Sequence, residues 1–227
     1  MIKIERLNKS FGEKQILENF HYTILDQSMI AIVGPSGCGK STLLNMIGLL
    51  DLEYEGTISY DGELISQKKE KQRIRYIRDN INYLFQNYAL IDSETVEYNL
   101  LLALTYEKLD KKEKRNKVNE VLKKVGLEDY NTKKIYTLSG GEQQRIALAR
   151  VMLKKGNIVL ADEPTGNLDK ENSQQVIHIL RELQKLGKTI IVVTHSMEVA
   201  QECDIIINLE ELRIQNKDSS KKITLVS

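Results

Sequence analysis

Three features of this 227-residue chain predict an α/β fold built around a parallel sheet. Short, almost wholly apolar runs occur at Met29–Val33, Ile158–Ala161 and Thr189–Thr194. Such runs suit strands buried on both faces. Stretches with helical spacing alternate with them. One runs from Asn172 to Leu186 and turns Val176, Ile177, Ile179, Leu180 and Leu183 inward. The third feature is a glycine-rich segment, Gly34 to Thr42, joining the first run to a helix that starts at Ser41 and runs toward Leu50.

In chain order, Ile2–Leu7 alternates like a strand, and Phe20–Ile24 is a second strand candidate. After the glycine segment, Gly56 opens a strand through Thr57–Tyr60, and Asp61-Gly62 marks a turn. Lys68, Lys69, Lys71, Arg73, Arg75 and Arg78 make the next stretch a solvated helix or loop. Ile81–Phe85 returns to the core as a strand. Thr95–Leu104 is helical. Glu107–Gly126 holds a charged helix with Val118, Val121, Leu122 and Val125 inward and Gly126 at its C′ position. Residues 88–135 therefore read as a helical insertion into a single domain whose α/β core is 1–87 and 136–227. Ser139 then opens a helix with Ile146, Ala147, Leu148, Val151 and Met152 on its apolar face. Gly187 ends the helix from Asn172, and His195 follows the last strand. From Leu212 onward the pattern fits a short hairpin around Lys217–Ser220, or fraying.

Bulk properties narrow the function. With 29% charged and 41% hydrophobic residues, the chain has the balance of a globular domain large enough to bury a core without staples. A net charge of +1 gives no global attraction for nucleic acid, and no aromatic and basic residues alternate as a base-stacking surface requires. Two cysteines, Cys38 and Cys203, make no disulfide framework and fit a reducing interior. The three histidines, His21, His178 and His195, are dispersed, which argues against zinc. The first residues, Met1 to Leu7, lack the apolar core of a leader, and no stretch is apolar for long enough to cross a bilayer.

The residues Gly34, Pro35, Ser36, Gly37, Cys38, Gly39, Lys40, Ser41 and Thr42 fit the phosphate-binding pattern G-x-x-x-x-G-K-[ST] between a strand and a helix. Glycines let backbone N–H groups converge on an anion, and the following helix aims its unpaired N–H groups at the same point. Lys40 supplies charge to the β and γ phosphates, and the Ser41 hydroxyl suits Mg²⁺. Cys38 is a small filler within the loop. At the end of a buried strand, Asp162 and Glu163 divide the remaining work. The first belongs to the Mg²⁺ shell, while the second faces the γ-phosphate as acceptor of a proton from water. The expected ligands are a nucleoside triphosphate, which the resemblance below makes ATP, and Mg²⁺, with no other metal.

The run Leu138-Ser139-Gly140-Gly141-Glu142-Gln143-Gln144-Arg145 adds a second anion-binding helix terminus. This octet resembles the signature motif of the ATP-binding cassette (ABC) family, and the resemblance extends along nearly the whole chain. It implies an ABC nucleotide-binding domain of the P-loop NTPase type, with an N-terminal antiparallel β subdomain and an inserted helical subdomain. Phe11 resembles the aromatic residue that stacks on adenine. Gly34–Thr42 resembles Walker A, and Ile158–Asp162 resembles Walker B, with Glu163 as catalytic glutamate. Gln86 resembles the Q-loop residue that touches Mg²⁺ or water. Gly166-Asn167-Leu168-Asp169 resembles the D-loop, which contributes Asp169, and His195 the switch histidine. Ser139 and Gly141 would close on the γ-phosphate held by another copy.

The Asp162–Asp169 run is typical of the branch of bacterial cassettes that includes MacB, LolD and FtsE. Leu84–Leu90 looks closest to ATPases of bacteriocin export or antimicrobial-peptide resistance. The resemblance implies a homodimer in the ATP-bound state. It also implies a separate integral permease contacted through residues 86–104, and a place at the cytoplasmic face of the membrane. The alternatives are an FtsE-like role in division, a LolD-like role in lipoprotein release, and a cassette acting on nucleic acid or the ribosome.

Overall fold

The computed structural model describes residues 1–166 and 168–212, so the expected feature around Lys217–Ser220 lies outside the described residues. The fold begins with a long hairpin, β1 (Ile2–Phe11) and β2 (Lys14–Ile24). Together with β4 (Glu55–Tyr60) it forms a three-stranded antiparallel sheet in the order β2-β1-β4. Both hairpin strands are longer than their alternation suggested. The register slips three times between Ile4 and Ser10, and Arg6 and Asn19 sit at positive φ. These bulges break the two-residue period from which a strand is read.

The second sheet is fully parallel. Its strands are β3 (Met29–Val33), β5 (Ile81–Leu84), β6 (Ile158–Asp162), β7 (Thr189–Val193) and β8 (Ile205–Asn208), in the order β5-β6-β7-β3-β8. Alternate residues feed two cores. Ile30, Ile32, Leu160, Ile191 and Val193 pack with α1 (Lys40–Ile47) and the antiparallel sheet. Met29, Ala31, Val159, Ala161, Ile190 and Val192 pack with the helices on the other side. Those helices are α3 (Val96–Ala103), α4 (Lys111–Lys124), α5 (Gly140–Leu153), α6 (Lys170–Lys185) and α7 (Met197–Gln201). α2 (Glu70–Asn80), the basic segment, is a helix with no buried residue.

Local signals set the helix ends. Thr95, Asp110, Ser139 and Asp169 each cap a helix by accepting from the backbone N–H three residues on. α3 and α4 pack on each other and on α5, so the 88–135 segment is joined to the parallel sheet through α5. Met152 is half-buried where the helical pattern put it in the core. α7 and β8 have no counterpart in the sequence reading. Five and four residues are too few to display a period.

Candidate active site

The carboxyl ends of four adjacent parallel strands carry the predicted groups. Gln86 lies two residues beyond β5, Asp162 ends β6 with Glu163 next, His195 lies two beyond β7, and Gly34 follows β3. The register holds them in line. Asp162 pairs with Val193, and Val193 pairs with Ile32.

The loop between β3 and α1 turns through Gly39 at φ +105, a backbone region closed to most side chains. A Cβ there would also come within 2.4 Å of Ile16 Cγ2, so β2 supports the loop from beneath. Pro35, Ser36 and Gly37 are exposed at the apex; Cys38 and Thr42 are half-buried. No side chain caps α1, which leaves its first N–H groups aimed into the loop. The buried Lys40 ammonium crosses the same loop and donates to the carbonyls of Gly34 (2.8 Å) and Pro35 (3.1 Å).

The Ser41 hydroxyl donates to Asp162 Oδ1 at 3.0 Å, joining helix and strand. Burial pushes the Asp162 carboxyl above its ordinary range. The Ser41 hydrogen bond pulls it back, and the neighbouring Glu163 charge raises it further. Two carboxylates and a hydroxyl in this arrangement are hard oxygen donors with an excess of negative charge, which fits a Mg²⁺ ion.

Glu163 sits at φ +46, a strained position for a non-glycine residue. Its N–H donates to Val193 O (2.9 Å), and its carbonyl accepts from Gly166 N (3.1 Å). Its Oε1 lies 2.9 Å from His195 Nδ1. The glutamate side chain is mostly covered and the histidine mostly exposed. A cavity of about 780 Å³ opens beside this pair, lined in part by Gly166, Leu168, Arg181 and Thr194. Gln86 is exposed at its strand end. Phe11 closes the β1–β2 hairpin with its ring more than half exposed and the Lys9 ammonium 4.8 Å from its centroid. His21 and His178 are exposed on a strand and a helix, and His178 also lines the cavity beside Glu163 and His195.

Ser139, Gly141 and Asp169 form a second group. A Cβ at Gly141 would lie 2.9 Å from Asn172 Cγ, and Asn172 donates to Asp169 through both its backbone N and its side-chain amide, each at 2.8 Å. Arg145 donates to Asn172 Oδ1 at 2.9 Å and holds the same cluster. Asn167 of the expected D-loop is not among the described residues. The two groups touch through Gln144, whose buried amide donates to Pro164 O at 2.6 Å, one residue after Glu163.

Sequence reasoning placed Glu142 and Gln144 in the Leu138–Arg145 run without a role for either side chain, and missed Tyr130. Glu142 completes a capping box with Ser139, and Tyr130 donates to its carboxylate at 2.7 Å. The S-x-x-E spacing carries the signal for the box. Nothing local announces Tyr130.

The model of the family described as ABC transporter matches residues 17–166. This chain belongs to the ABC transporter family. The cassette is 39% identical over 208 residues to an uncharacterised ABC transporter ATP-binding protein, YvrO of Bacillus subtilis, covering 90% of this chain and 91% of that one. It is 36% identical to the macrolide export ATP-binding/permease protein MacB of Escherichia coli over 92% of this chain. The cassette spans only 33% of that MacB. A dimeric structure of the bacterial cassette MJ0796 superposes with a TM-score of 0.83 at 35% identity, covering 92% of this chain and 95% of that one. A post-hydrolysis dimer of the same cassette bound to ADP and Pi gives 0.82 at 33% identity, with the same coverage. The cassette is thus an ABC-type ATPase in an α/β P-loop fold with an added antiparallel sheet.

Proposed function

We propose that this ATPase works as a homodimer that powers a separate membrane permease, in export of or resistance to peptides or similar amphipathic compounds. The observation that carries the reading is the pair of helix N-termini suited to anions, one at the buried Lys40 and one at the exposed Ser139. The second is anchored to Asn172 and Asp169 rather than to the 34–42 loop. Two termini aimed at one γ-phosphate are best supplied by two chains. In this arrangement Phe11 stacks on adenine, the Gly34–Thr42 loop and Lys40 hold the phosphates, and Ser139 and Gly141 of the second copy donate to the γ-phosphate. Asp169 braces that second terminus. Ser41, Asp162 and Gln86 would hold Mg²⁺, which when bound supplies charge neutralisation for the phosphates. Glu163 takes the proton of the attacking water. His195 holds the Glu163 carboxylate in place and faces the γ-phosphate.

ATPase rate per chain is expected to rise with protein concentration. Mixing inactive Lys40→Ala and inactive Ser139→Arg chains is expected to restore activity, since one composite site per mixed dimer is intact. A concentration-independent rate without rescue sinks the two-chain site.

The permease is expected along residues 86–104. Among the large apolar side chains there, Ile91, Tyr98 and Leu102 are exposed. Tyr88 is half-buried against the core, and its carbonyl is held by Arg150. Leu102 borders a groove of about 900 Å³ with Tyr83, Phe85 and Tyr106 on its walls. Arg78 and Lys155, ion-paired with Asp79 and Glu107, line it together with Lys154. No helix among the described residues is long and apolar enough to cross a membrane. In the proposed arrangement, attachment at the cytoplasmic face runs through this surface. Residues 88–135 serve as its helical subdomain. The relatives named for macrolide export favour export over uptake.

In cells, Leu102→Asp is expected to raise sensitivity to a panel of antimicrobial peptides and macrolides as far as gene deletion does, while the purified variant still hydrolyses ATP. A division defect with unchanged sensitivity supports the FtsE-like alternative instead.

A further inference from the structure

Both Ser139 donors at the start of α5 are already committed. Ser139 has one hydroxyl proton and one backbone N–H. The hydroxyl donates to Glu142 Oε2 at 2.8 Å, and the N–H donates to the same oxygen at 2.7 Å. The other carboxylate oxygen accepts from the Tyr130 hydroxyl at 2.7 Å, and the Lys133 ammonium sits 3.4 Å from the Tyr130 ring centroid. The Tyr130 hydrogen bond, followed by those from Ser139, holds the Glu142 carboxyl below the usual range, so it is ionised at neutral pH. A fixed negative charge therefore lies on the helix terminus that a phosphate must approach. It also holds both Ser139 donors.

We propose that Glu142 is a positioning residue that restrains closure of the ATP-bound dimer. It holds the Ser139 hydroxyl turned back on its own helix and repels the incoming γ-phosphate. This rests on the two-chain site proposed above. When the dimer closes, the Ser139 hydroxyl exchanges its carboxylate acceptor for a phosphate oxygen. Tyr130 and Lys133 stay behind to hold the released carboxylate. The restraint acts on the step that joins two chains. It leaves ATP binding to the 34–42 loop of one chain untouched.

The neutral isostere separates this role from helix capping, because glutamine also completes a capping box. Glu142→Gln keeps an acceptor for Ser139 and loses only the charge. Relief of the like-charge repulsion between carboxylate and phosphate is expected to favour closure roughly 2- to 5-fold per site. Two sites per dimer put the expected tightening of ATP-dependent dimerisation at roughly 3- to 30-fold. It should be read by sedimentation in a Glu163→Gln background that retains ATP.

In the hydrolytic background, turnover at limiting protein concentration should rise, with monomer ATP affinity unchanged. Tyr130→Phe, which leaves the carboxylate charged but less firmly held, should tighten the dimer less. Dimerisation equal to the parent in Glu142→Gln would reduce Glu142 to a cap and overturn the proposal. Weaker dimerisation would also overturn it, by making the carboxylate a contributor to the closed site. A parent chain with neither ATP-dependent dimer nor concentration-dependent turnover would instead fault the two-chain reading itself, independently of Glu142.

Discussion

Glu163→Gln is expected to lower ATP turnover by about 10²- to 10⁴-fold, the usual cost of losing a positioned base. ATP binding should persist. The substitution keeps the size of the side chain and its ability to pair with His195 Nδ1, now 2.9 Å from Oε1. The backbone contacts of Glu163 to Val193 and Gly166 are main-chain bonds and are not altered. The amide cannot take a proton from water, so the effect falls on turnover. Retained ATP should also keep the dimer associated, which makes this variant the natural one for sedimentation measurements. His195→Ala should likewise bind ATP and turn over slowly, because the carboxylate loses the group that holds it. ATP affinity and turnover measured on one preparation decide the matter. Turnover near that of the parent would move the base elsewhere.

Lys40→Ala is expected to act one step earlier, on binding. A hydrogen bond to a charged group contributes about 1.5–3 kcal/mol, so ATP affinity should fall roughly 10- to 100-fold. Lys40 is buried and also bridges the carbonyls of Gly34 and Pro35, so its loss can loosen the loop itself. Thermal unfolding without nucleotide separates the two effects. A melting temperature close to that of the parent together with weak ATP binding assigns the loss to the missing ammonium. Affinity within a factor of two of the parent would remove Lys40 from the phosphate site.

The contrast between these two variants reflects how the site is built. The phosphate loop is one continuous segment, held by Gly39 and supported by Ile16. The hydrolytic pair is assembled from two strands, β6 and β7, that are neighbours only because the parallel sheet makes them so. Damage to the first shows in binding. Damage to the second shows in chemistry.

Local chemistry made much of the site legible in the sequence. A glycine that must adopt φ +105, a lysine beside it and a hydroxyl one residue later are close in the chain because they act on one anion. The helix caps at Thr95, Ser139 and Asp169 involve partners three residues apart, within reach of a sequence pattern. The buried parallel strands announce themselves because both faces must be apolar. β1 and β2 were legible only in part, since bulges interrupt their alternation.

Other features depend on distance in the chain, and only the tertiary structure decided them. The order β5-β6-β7-β3-β8 places residues near 34, 86, 162 and 195 along one edge, although the chain visits them out of spatial order. The Ser41–Asp162 bond spans 121 positions, and Glu163 meets His195 only through the β6–β7 pairing. Gln144 reaches Pro164, 20 positions away, from α5, which packs against β5 and α6. Tyr130 reaches Glu142 from a loop with no periodicity of its own. The sequence by itself determined which groups could bind a nucleotide and cleave it, because those are properties of residue type and short spacing. Which of those groups meet was decided by sheet order and helix packing, since burial of the apolar faces sets both and no short segment encodes them.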